Sequence, residues 1–174
     1  MSDLDDLLER HRVAGPPSDR ELPPQPSKRV AVVTCMDSRI NPFDLFGLRN
    51  GEAHVIRNAG GLVTEQELRS LTVSQRKLGT RTIIVMTHVG CGMATFDDGD
   101  FLHELRADTG HDPAWTPGSF ADPAESVRES IRRLRDYEFL PHRDDVHGLV
   151  LEIETGRLFA VEPTRGLPNW SDRT

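Results

Sequence analysis

Short runs of apolar, largely β-branched residues recur along the chain, and segments with helix signals separate them. The runs at 29–35 (RVAVVTC) and 82–87 (TIIVMT) lack the polar alternation of a half-exposed strand, which is typical of strands buried on both faces of a sheet. A further strand is predicted at 53–57, and a hairpin at 148–153 and 158–161. Strands that alternate with helices predict an α/β fold with a mostly parallel central sheet flanked by helices.

The clearest helix signal lies at 64–78. Thr64 and Glu67 have the spacing of a capping box, and Gly79 follows the last turn as a stop. The remaining helices are predicted at 2–11, from Asn41 and Pro42, at 100–109 and at 122–136.

The N-terminal 28 residues differ in composition from the rest. A short amphipathic helix at 2–11, with Ser2 as its N-cap, is followed by a segment too rich in proline for regular structure. We interpret this segment as an extended strap that carries the first helix away from the core or onto a neighbouring subunit. The predicted organisation is therefore 1–28 as helix and strap and 29–174 as a single domain. The prolines of the strap are Pro16, Pro17, Pro23, Pro24 and Pro26.

Charge and hydropathy exclude two classes of partner. The net charge is −7, so the chain is a poor match for nucleic acid, which is bound through lysine and arginine. The arginines at 128–135 are interleaved with carboxylates and indicate a solvated helix face with internal ion pairs. No apolar run approaches the roughly 20 residues that span a bilayer, and the acidic N-terminus does not resemble a signal peptide. We therefore expect no membrane partner and a cytoplasmic location.

Candidate metal ligands follow two of the predicted strands. Cys35 ends the first run, and His88 and Cys91 follow 82–87. Ligands of open parallel sheets bind outside the carboxyl ends of the strands, where the strand order reverses, so these residues converge if the two strands are neighbours. Thiolate and imidazole are preferred zinc ligands, and three protein ligands with water in the fourth place are the pattern of catalytic zinc. Two isolated buried thiols, or a thiol redox pair, are the alternatives.

Asp37 and Arg39 follow Cys35 at alternate positions. Asp37 is either a conditional fourth zinc ligand or an acceptor for zinc-bound water that Arg39 holds in place. A local salt bridge that closes the loop is the structural alternative. The other histidines are predicted to be structural or at the surface, with His54 packed inside a strand. Trp115 and Phe120 either line an interface or anchor the loop at 110–121, and anchoring is favoured.

The combination of Cys35-x-Asp37-x-Arg39 with His88-x-x-Cys91 resembles the β-carbonic anhydrases. The similarity spans 29–162 and is closest to the small clade typified by archaeal and mycobacterial members. Many members of that clade have His-Thr-Asp-Cys where this chain has His88-Val89-Gly90-Cys91, so the ligand spacing is kept but the polar contacts of the loop differ. The resemblance extends to His54–Gly60 (HVIRNAG), to Arg69-Ser70, to Cys91-Gly92-Met93 and to His147–Leu158.

The resemblance implies reversible hydration of carbon dioxide to bicarbonate and a proton by a zinc-bound hydroxide. It also implies one zinc ion per chain on Cys35, His88 and Cys91, with Asp37 and Arg39 as the catalytic dyad. In some members the aspartate moves onto the metal and displaces the water. The family fold is a parallel sheet with an antiparallel edge strand, and its active sites lie near dimer interfaces, which implies a homodimer or a tetramer.

Two rival functions keep the same fold. Relatives of the family hydrolyse carbon disulfide or carbonyl sulfide, and the shape of the pocket would decide between these substrates and carbon dioxide. A non-catalytic zinc- or bicarbonate-binding protein would bind zinc without turnover. For the catalytic reading, two thiolates cancel the charge of the zinc ion, so the pKa of the bound water is expected above the ~7 of a three-histidine site.

Overall fold

The computed structural model describes residues 2–15 and 21–173 and has a five-stranded sheet at its centre. The strands are β1 (Val30–Cys35), β2 (Ala53–Asn58), β3 (Thr82–His88), β4 (Val146–Glu152) and β5 (Arg157–Ala160). Their order is β2-β1-β3-β4-β5; the first four are parallel, and β5 is antiparallel to β4 at the edge. The predicted fold class is confirmed.

Five α-helices accompany the sheet in the described residues. They are α1 (Asp3–Ala14), α2 (Pro42–Phe46), α3 (Glu65–Leu78), α4 (Asp98–Thr109) and α5 (Pro123–Asp136). The predicted capping box of α3 is present, and Gly79 ends that helix in the left-handed conformation. None of these helices combines the length and the apolar character that crossing a bilayer requires.

Two buried clusters hold the helices and loops on opposite faces of the sheet. On one face, Leu68 and Leu71 of α3 and Ile131 and Leu134 of α5 pack against the apolar side chains of β1, β3 and β4. On the other face, α2 and several loops pack around Met86 and neighbouring apolar groups. Both faces of the central strands are therefore buried, which is why their sequences are continuously apolar.

The N-terminal helix has no buried residue. Ser2 and Asp5 form its capping box, so its local signals are sufficient to start it. The described part of the strap is tied to the domain: Ser27 N donates to Gly51 O at 2.9 Å, and Pro24 O is 3.1 Å from His54 Nε2. The prolines at positions 16 and 17, which the sequence analysis also assigned to the strap, lie outside the described residues.

Candidate metal centre

Neighbouring strands bring the three candidate ligands together. Cys35 is the last residue of β1 and His88 the last residue of β3, and these strands are paired directly. The chain passes from β1 to β2 on one side and then to β3 on the other, so the strand order reverses between β1 and β3. The Sγ atoms of Cys35 and Cys91 are 3.8 Å apart, and all three ligand atoms lie within 4.8 Å of one another. Among the described residues, this is the one group of histidine, cysteine and carboxylate side chains so arranged.

The imidazole of His88 is oriented so that its Nε2 can bind a metal ion. Its Nδ1 is 3.0 Å from Val89 O, and because a carbonyl only accepts hydrogen bonds, Nδ1 carries the proton. In the neutral ring Nε2 then carries the lone pair, and this atom is buried without a hydrogen-bond partner. An unsatisfied buried acceptor is unfavourable, and a metal ion would satisfy it.

The two sulfurs are within hydrogen-bond distance of each other. This contact lowers the pKa of Cys35 and raises the pKa of Cys91, so that one thiolate beside one thiol is favoured. Two sulfurs beside an imidazole nitrogen are the donor set that Zn²⁺ prefers, and a bound metal ion would displace the remaining thiol proton. The residues present therefore fit a zinc ion.

Asp37 and Arg39 form a two-pronged ion pair beside this group. Arg39 Nε and Nη2 donate to Asp37 Oδ1 and Oδ2 at 2.9 and 2.7 Å, and the Arg39 backbone N–H donates to Oδ1 at 3.0 Å. These contacts hold the pKa of Asp37 well below its usual range. Arg39 Nη2 also donates to Gly90 O at 3.1 Å, so the pair joins the two loops that contain the candidate ligands. The predicted salt bridge exists, but it is not merely local.

Asp37 lies beside the three candidate ligands but is not one of the group whose ligand atoms are close enough to hold one metal ion. Its Oδ2 is 3.7 Å from His88 Nε2, and its side chain is bound to Arg39. The structure thus places Asp37 within reach of a group held at Nε2. Its conditional role as a fourth ligand stays a prediction.

Arg57 is the functional contact that sequence reasoning missed. From β2, its Nε donates to Cys35 O at 3.0 Å and its Nη2 to Asp37 O at 2.7 Å. These bonds fix the backbone between the candidate ligand and the candidate acid. The available signal was HVIRNAG as part of the family resemblance, and the pairing of β1 with β2 in the structure puts Arg57 opposite Thr34, beside Cys35.

A close-packed turn lies against the backbone of β1 and β3 next to the candidate ligands. Gly61 ends the turn at Ala59–Gly61 that follows β2, with φ of +70°. A Cβ atom at this position would lie 2.5 Å from Met86 O and 2.9 Å from Cys35 N. Only glycine allows both the backbone conformation and this approach to β1 and β3.

A cavity of about 350 Å³ borders His88 and Cys91 and also contacts Phe120, Trp170 and Arg173. Phe120 packs in the cluster around Met86, as its predicted anchoring role requires. The same prediction for Trp115 was wrong, since this side chain is 58% exposed. A larger cavity, of about 480 Å³, lies along α5 and has none of the candidate ligands, so cavity size alone does not locate the site.

The other histidines contribute no candidate ligand. His54 is packed as predicted: its Nδ1 is 2.7 Å from Ser74 Oγ and its Nε2 contacts the strap. His147 Nε2 lies 3.0 Å from Asp145 Oδ1 at the far end of the sheet.

Fold and site together define an α/β protein with two sulfur atoms and one nitrogen atom, able to hold a metal ion, at the switch point of a parallel sheet. The model of the carbonic anhydrase family matches residues 30–116. β-Carbonic anhydrase 1 of Mycobacterium tuberculosis is 46% identical over 142 residues, which are 82% of this chain and 87% of that protein. The chain belongs to the β-carbonic anhydrase family.

Solved structures and a more distant relative agree with this assignment. The crystal structure of a carbonic anhydrase from Streptococcus mutans matches with a TM-score of 0.84 at 37% identity, covering 93% of this chain and 99% of that chain. The carbon disulfide hydrolase of Saccharolobus solfataricus is 30% identical over 84% of this chain and 80% of that protein. The predicted family, its carbon dioxide hydration and its zinc cofactor are thereby confirmed.

Proposed function

We propose that Cys35, His88 and Cys91 hold one zinc ion per chain, and that the chain uses it to hydrate carbon dioxide reversibly to bicarbonate and a proton. The observation that supports this most strongly is the buried, unpartnered Nε2 of His88, with its lone pair free, in one cluster with the two sulfurs. The cysteines would bind as thiolates and the histidine as neutral imidazole. When bound, zinc supplies a Lewis acid that lowers the pKa of a water molecule.

We assign the proton chemistry to Asp37 and its orientation to Arg39. Arg39 keeps the carboxylate charged and fixes both of its oxygens. Oδ2 is 3.7 Å from His88 Nε2, so it can accept a hydrogen bond from water held beside this atom. Release of Asp37 from Arg39 would let it act as the fourth ligand and close the site. Arg57 holds the carbonyls on either side of this segment and would keep the dyad aligned.

Hydrolysis of carbon disulfide or carbonyl sulfide is the second candidate, because curated carbon disulfide hydrolases are 30–31% identical to the chain. The 46% identity to a β-carbonic anhydrase favours carbon dioxide. Stopped-flow hydration of carbon dioxide and release of hydrogen sulfide from carbon disulfide should be measured on one zinc-quantified preparation. We expect kcat/KM for carbon dioxide above about 10⁴ M⁻¹s⁻¹. Preference for carbon disulfide, or stoichiometric zinc without turnover on either substrate, would contradict the proposal.

We further propose that the chain assembles as a homodimer or tetramer with the active site near the dimer interface. The support is α1: Leu4, Leu7 and Leu8 are 62%, 62% and 56% exposed, and a helix with such an apolar stripe gains by packing against another surface. The organisation into 1–28, as helix and strap, and 29–174, as the catalytic domain, fits an arm that reaches a second subunit.

We infer a cytoplasmic location from the thiols. Cys35 and Cys91 are free, and their sulfurs must stay reduced to bind a metal. Reducing compartments keep such thiols from oxidation. Cell fractionation with a cytoplasmic marker tests this inference, and recovery with an extracytoplasmic marker would contradict it.

A further inference from the structure

A second polar cavity lies at the end of the sheet opposite the candidate metal centre. Arg29 directly precedes β1 and Arg81 directly precedes β3, so both stand at the amino ends of the strands whose carboxyl ends hold Cys35 and His88. The cavity has a volume of about 380 Å³ and is bordered by these two arginines and by His142, with Gln75 and Thr80 among its other lining residues.

Positive charge accumulates at this cavity without a carboxylate in its lining. Arg29 and Arg81 are neighbours across the paired strands, and Arg81 N donates to Arg29 O at 2.8 Å. Neither guanidinium has an ion-pair or hydrogen-bond partner among the described residues. Like charges in adjacent positions repel, and an anion between them would offset this repulsion. The concentration of positive charge is notable in a chain whose net charge is −7.

A carboxylate at this end of the sheet is already engaged. Asp145 lies at the same end of the sheet, where Thr82 Oγ1 donates to its Oδ2 at 2.7 Å and His147 Nε2 lies 3.0 Å from its Oδ1. The carboxyl end of α3 also borders the cavity, but the carbonyl of Ser74 accepts from the backbone amides of Gly79 and Thr80. These groups leave the two guanidiniums available.

The walls of the cavity are held in place by hydrogen bonds. Gln75 is 6% exposed; its Nε2 donates to Arg81 O and His142 O at 3.1 and 3.3 Å, and its Oε1 accepts from His142 N at 3.1 Å. Arg29 N donates to Pro26 O at 3.0 Å, and Arg29 has a φ of +56°, in the left-handed region. A non-glycine residue persists in that region only where its surroundings hold it, which is common at binding sites.

We propose that this cavity binds a phosphate-sized oxyanion, either inorganic phosphate or the phosphoryl group of a small phosphomonoester. Guanidinium groups present planar pairs of N–H donors that match the spacing of two oxygens on one phosphorus. Two unpaired guanidiniums and an imidazole on a preformed wall are the donors that such an anion requires. The volume leaves room for a small organic group beside the phosphoryl oxygens.

Calorimetric titration of the zinc-loaded protein at constant ionic strength tests this proposal. Inorganic phosphate is the first probe and glycerol phosphate the second. We expect saturable binding, and we expect Arg29→Gln and Arg81→Gln each to weaken it about tenfold or more, because each removes a charged donor. Arg69→Gln is the matched control, since Arg69 is an exposed arginine of α3 that does not border the cavity. It should change Kd less than about twofold.

The activity of the variants separates this cavity from the metal centre. Without phosphate, all three should hydrate carbon dioxide at the wild-type rate, which also shows that they are folded. Tighter binding of glycerol phosphate would identify the phosphomonoester as the ligand, and tighter binding of inorganic phosphate the free anion. The proposal is overturned if no saturable binding occurs below about 10 mM. Equal Kd values for wild type, Arg29→Gln and Arg81→Gln would also overturn it.

Discussion

Arg39 is the side chain that connects the two halves of the candidate metal centre. It binds both carboxylate oxygens of Asp37 and the carbonyl of Gly90, which lies between His88 and Cys91 in the chain. Gly90 has no side chain, so Arg39 binds its backbone carbonyl instead. This bond connects the loop after β3 to the loop after β1. Loss of Arg39 would free both the acid and the loop, whereas the candidate zinc ligands would remain.

Substitution of the dyad should therefore separate activity from zinc binding. We expect Arg39→Ala to lower carbon dioxide hydration at neutral pH and Asp37→Asn to lower it by about 10²-fold, as general acid–base groups do, while both keep nearly full zinc content. Stopped-flow assays with metal analysis measure both quantities. Arg49→Ala is the control, because Arg49 is also paired with a carboxylate but its side chain is 88% exposed. Wild-type activity in Arg39→Ala would refute the dyad.

Glu67 should make the protein less stable as the pH falls. Burial raises the pKa of Glu67, but hydrogen bonds from Thr64 and Asn58 outweigh it, so the pKa is lowered from 4.5. A carboxylate whose pKa is lower in the folded protein stabilises the fold at pH values above about 4.5, the ordinary pKa of a glutamate. This contribution is lost as the pH falls through the pKa of the folded state.

We therefore expect Glu67→Gln to have a smaller free energy of unfolding than wild type at pH 7. The difference between the two proteins should be smaller at pH 4. Urea unfolding at both values measures the free energy of unfolding. Glu65→Gln, in the same helical turn but with a side chain 77% exposed, should show a much smaller effect. A gap that widens on acidification would contradict this account of Glu67.

At the scale of elements, the turn at Ala59–Gly61 sets the distance between β2 and the ends of β1 and β3. We expect Gly61→Ala to lower Tm and zinc affinity, since its Cβ would lie 2.5 Å from Met86 O. Gly156→Ala has nearly the same φ, +71°, but open space around the new atom. It should lose only the roughly 1–2 kcal/mol of the left-handed conformation, or about 2–8 °C in Tm. Thermal unfolding and zinc analysis compare the two variants. Equal decreases in Tm and in zinc affinity would mean that close packing at Gly61 is unimportant.

The elements themselves were predictable because their signals are local. The capping box before α3 and the apolar runs of β1 and β3 identify those elements without knowledge of the rest of the fold. The start of β4 was less accessible: the prediction begins at 148, but the strand begins at Val146, because pairing with Ile83 extends it. Pairing is a tertiary effect that no window of sequence contains.

The candidate ligands could be predicted from two features, which are their residue types and their positions at the carboxyl ends of predicted strands. Cys35, His88 and Cys91 converge because β1 and β3 are neighbours at the switch point, which is the condition that the sequence analysis set for their convergence. The contacts of Arg57 were not predicted, because HVIRNAG marks the segment but only the pairing of β1 with β2 brings its arginine beside Cys35. The exposure of Trp115 was missed for a similar reason, because composition does not fix which aromatic residue of a loop faces inward.

At the scale of the molecule, α1 has no buried residue, and three of its leucines are more than half exposed. We expect wild type to sediment as a dimer or tetramer at micromolar concentration, and Leu4→Ser/Leu7→Ser/Leu8→Ser to shift towards smaller species, because burial of each leucine contributes about 1.5–3 kcal/mol. Val13→Ser is the control: this residue is 77% exposed and lies about half a turn around the helix from Leu4. A monomeric wild type with full activity would contradict the proposed assembly.

The central claim is that one zinc ion on Cys35, His88 and Cys91 is responsible for carbon dioxide hydration. The most direct test is titration of zinc-free protein with zinc, with stopped-flow hydration measured at each addition. The account predicts negligible activity at the start, a linear rise, and a break at one zinc per chain. Cys35→Ser, His88→Ala and Cys91→Ser should each bind zinc far more weakly and stay inactive over the same range, because a site with three protein ligands loses most of its affinity with any one of them. Full activity without zinc, or a variant that follows the wild-type curve, would contradict it.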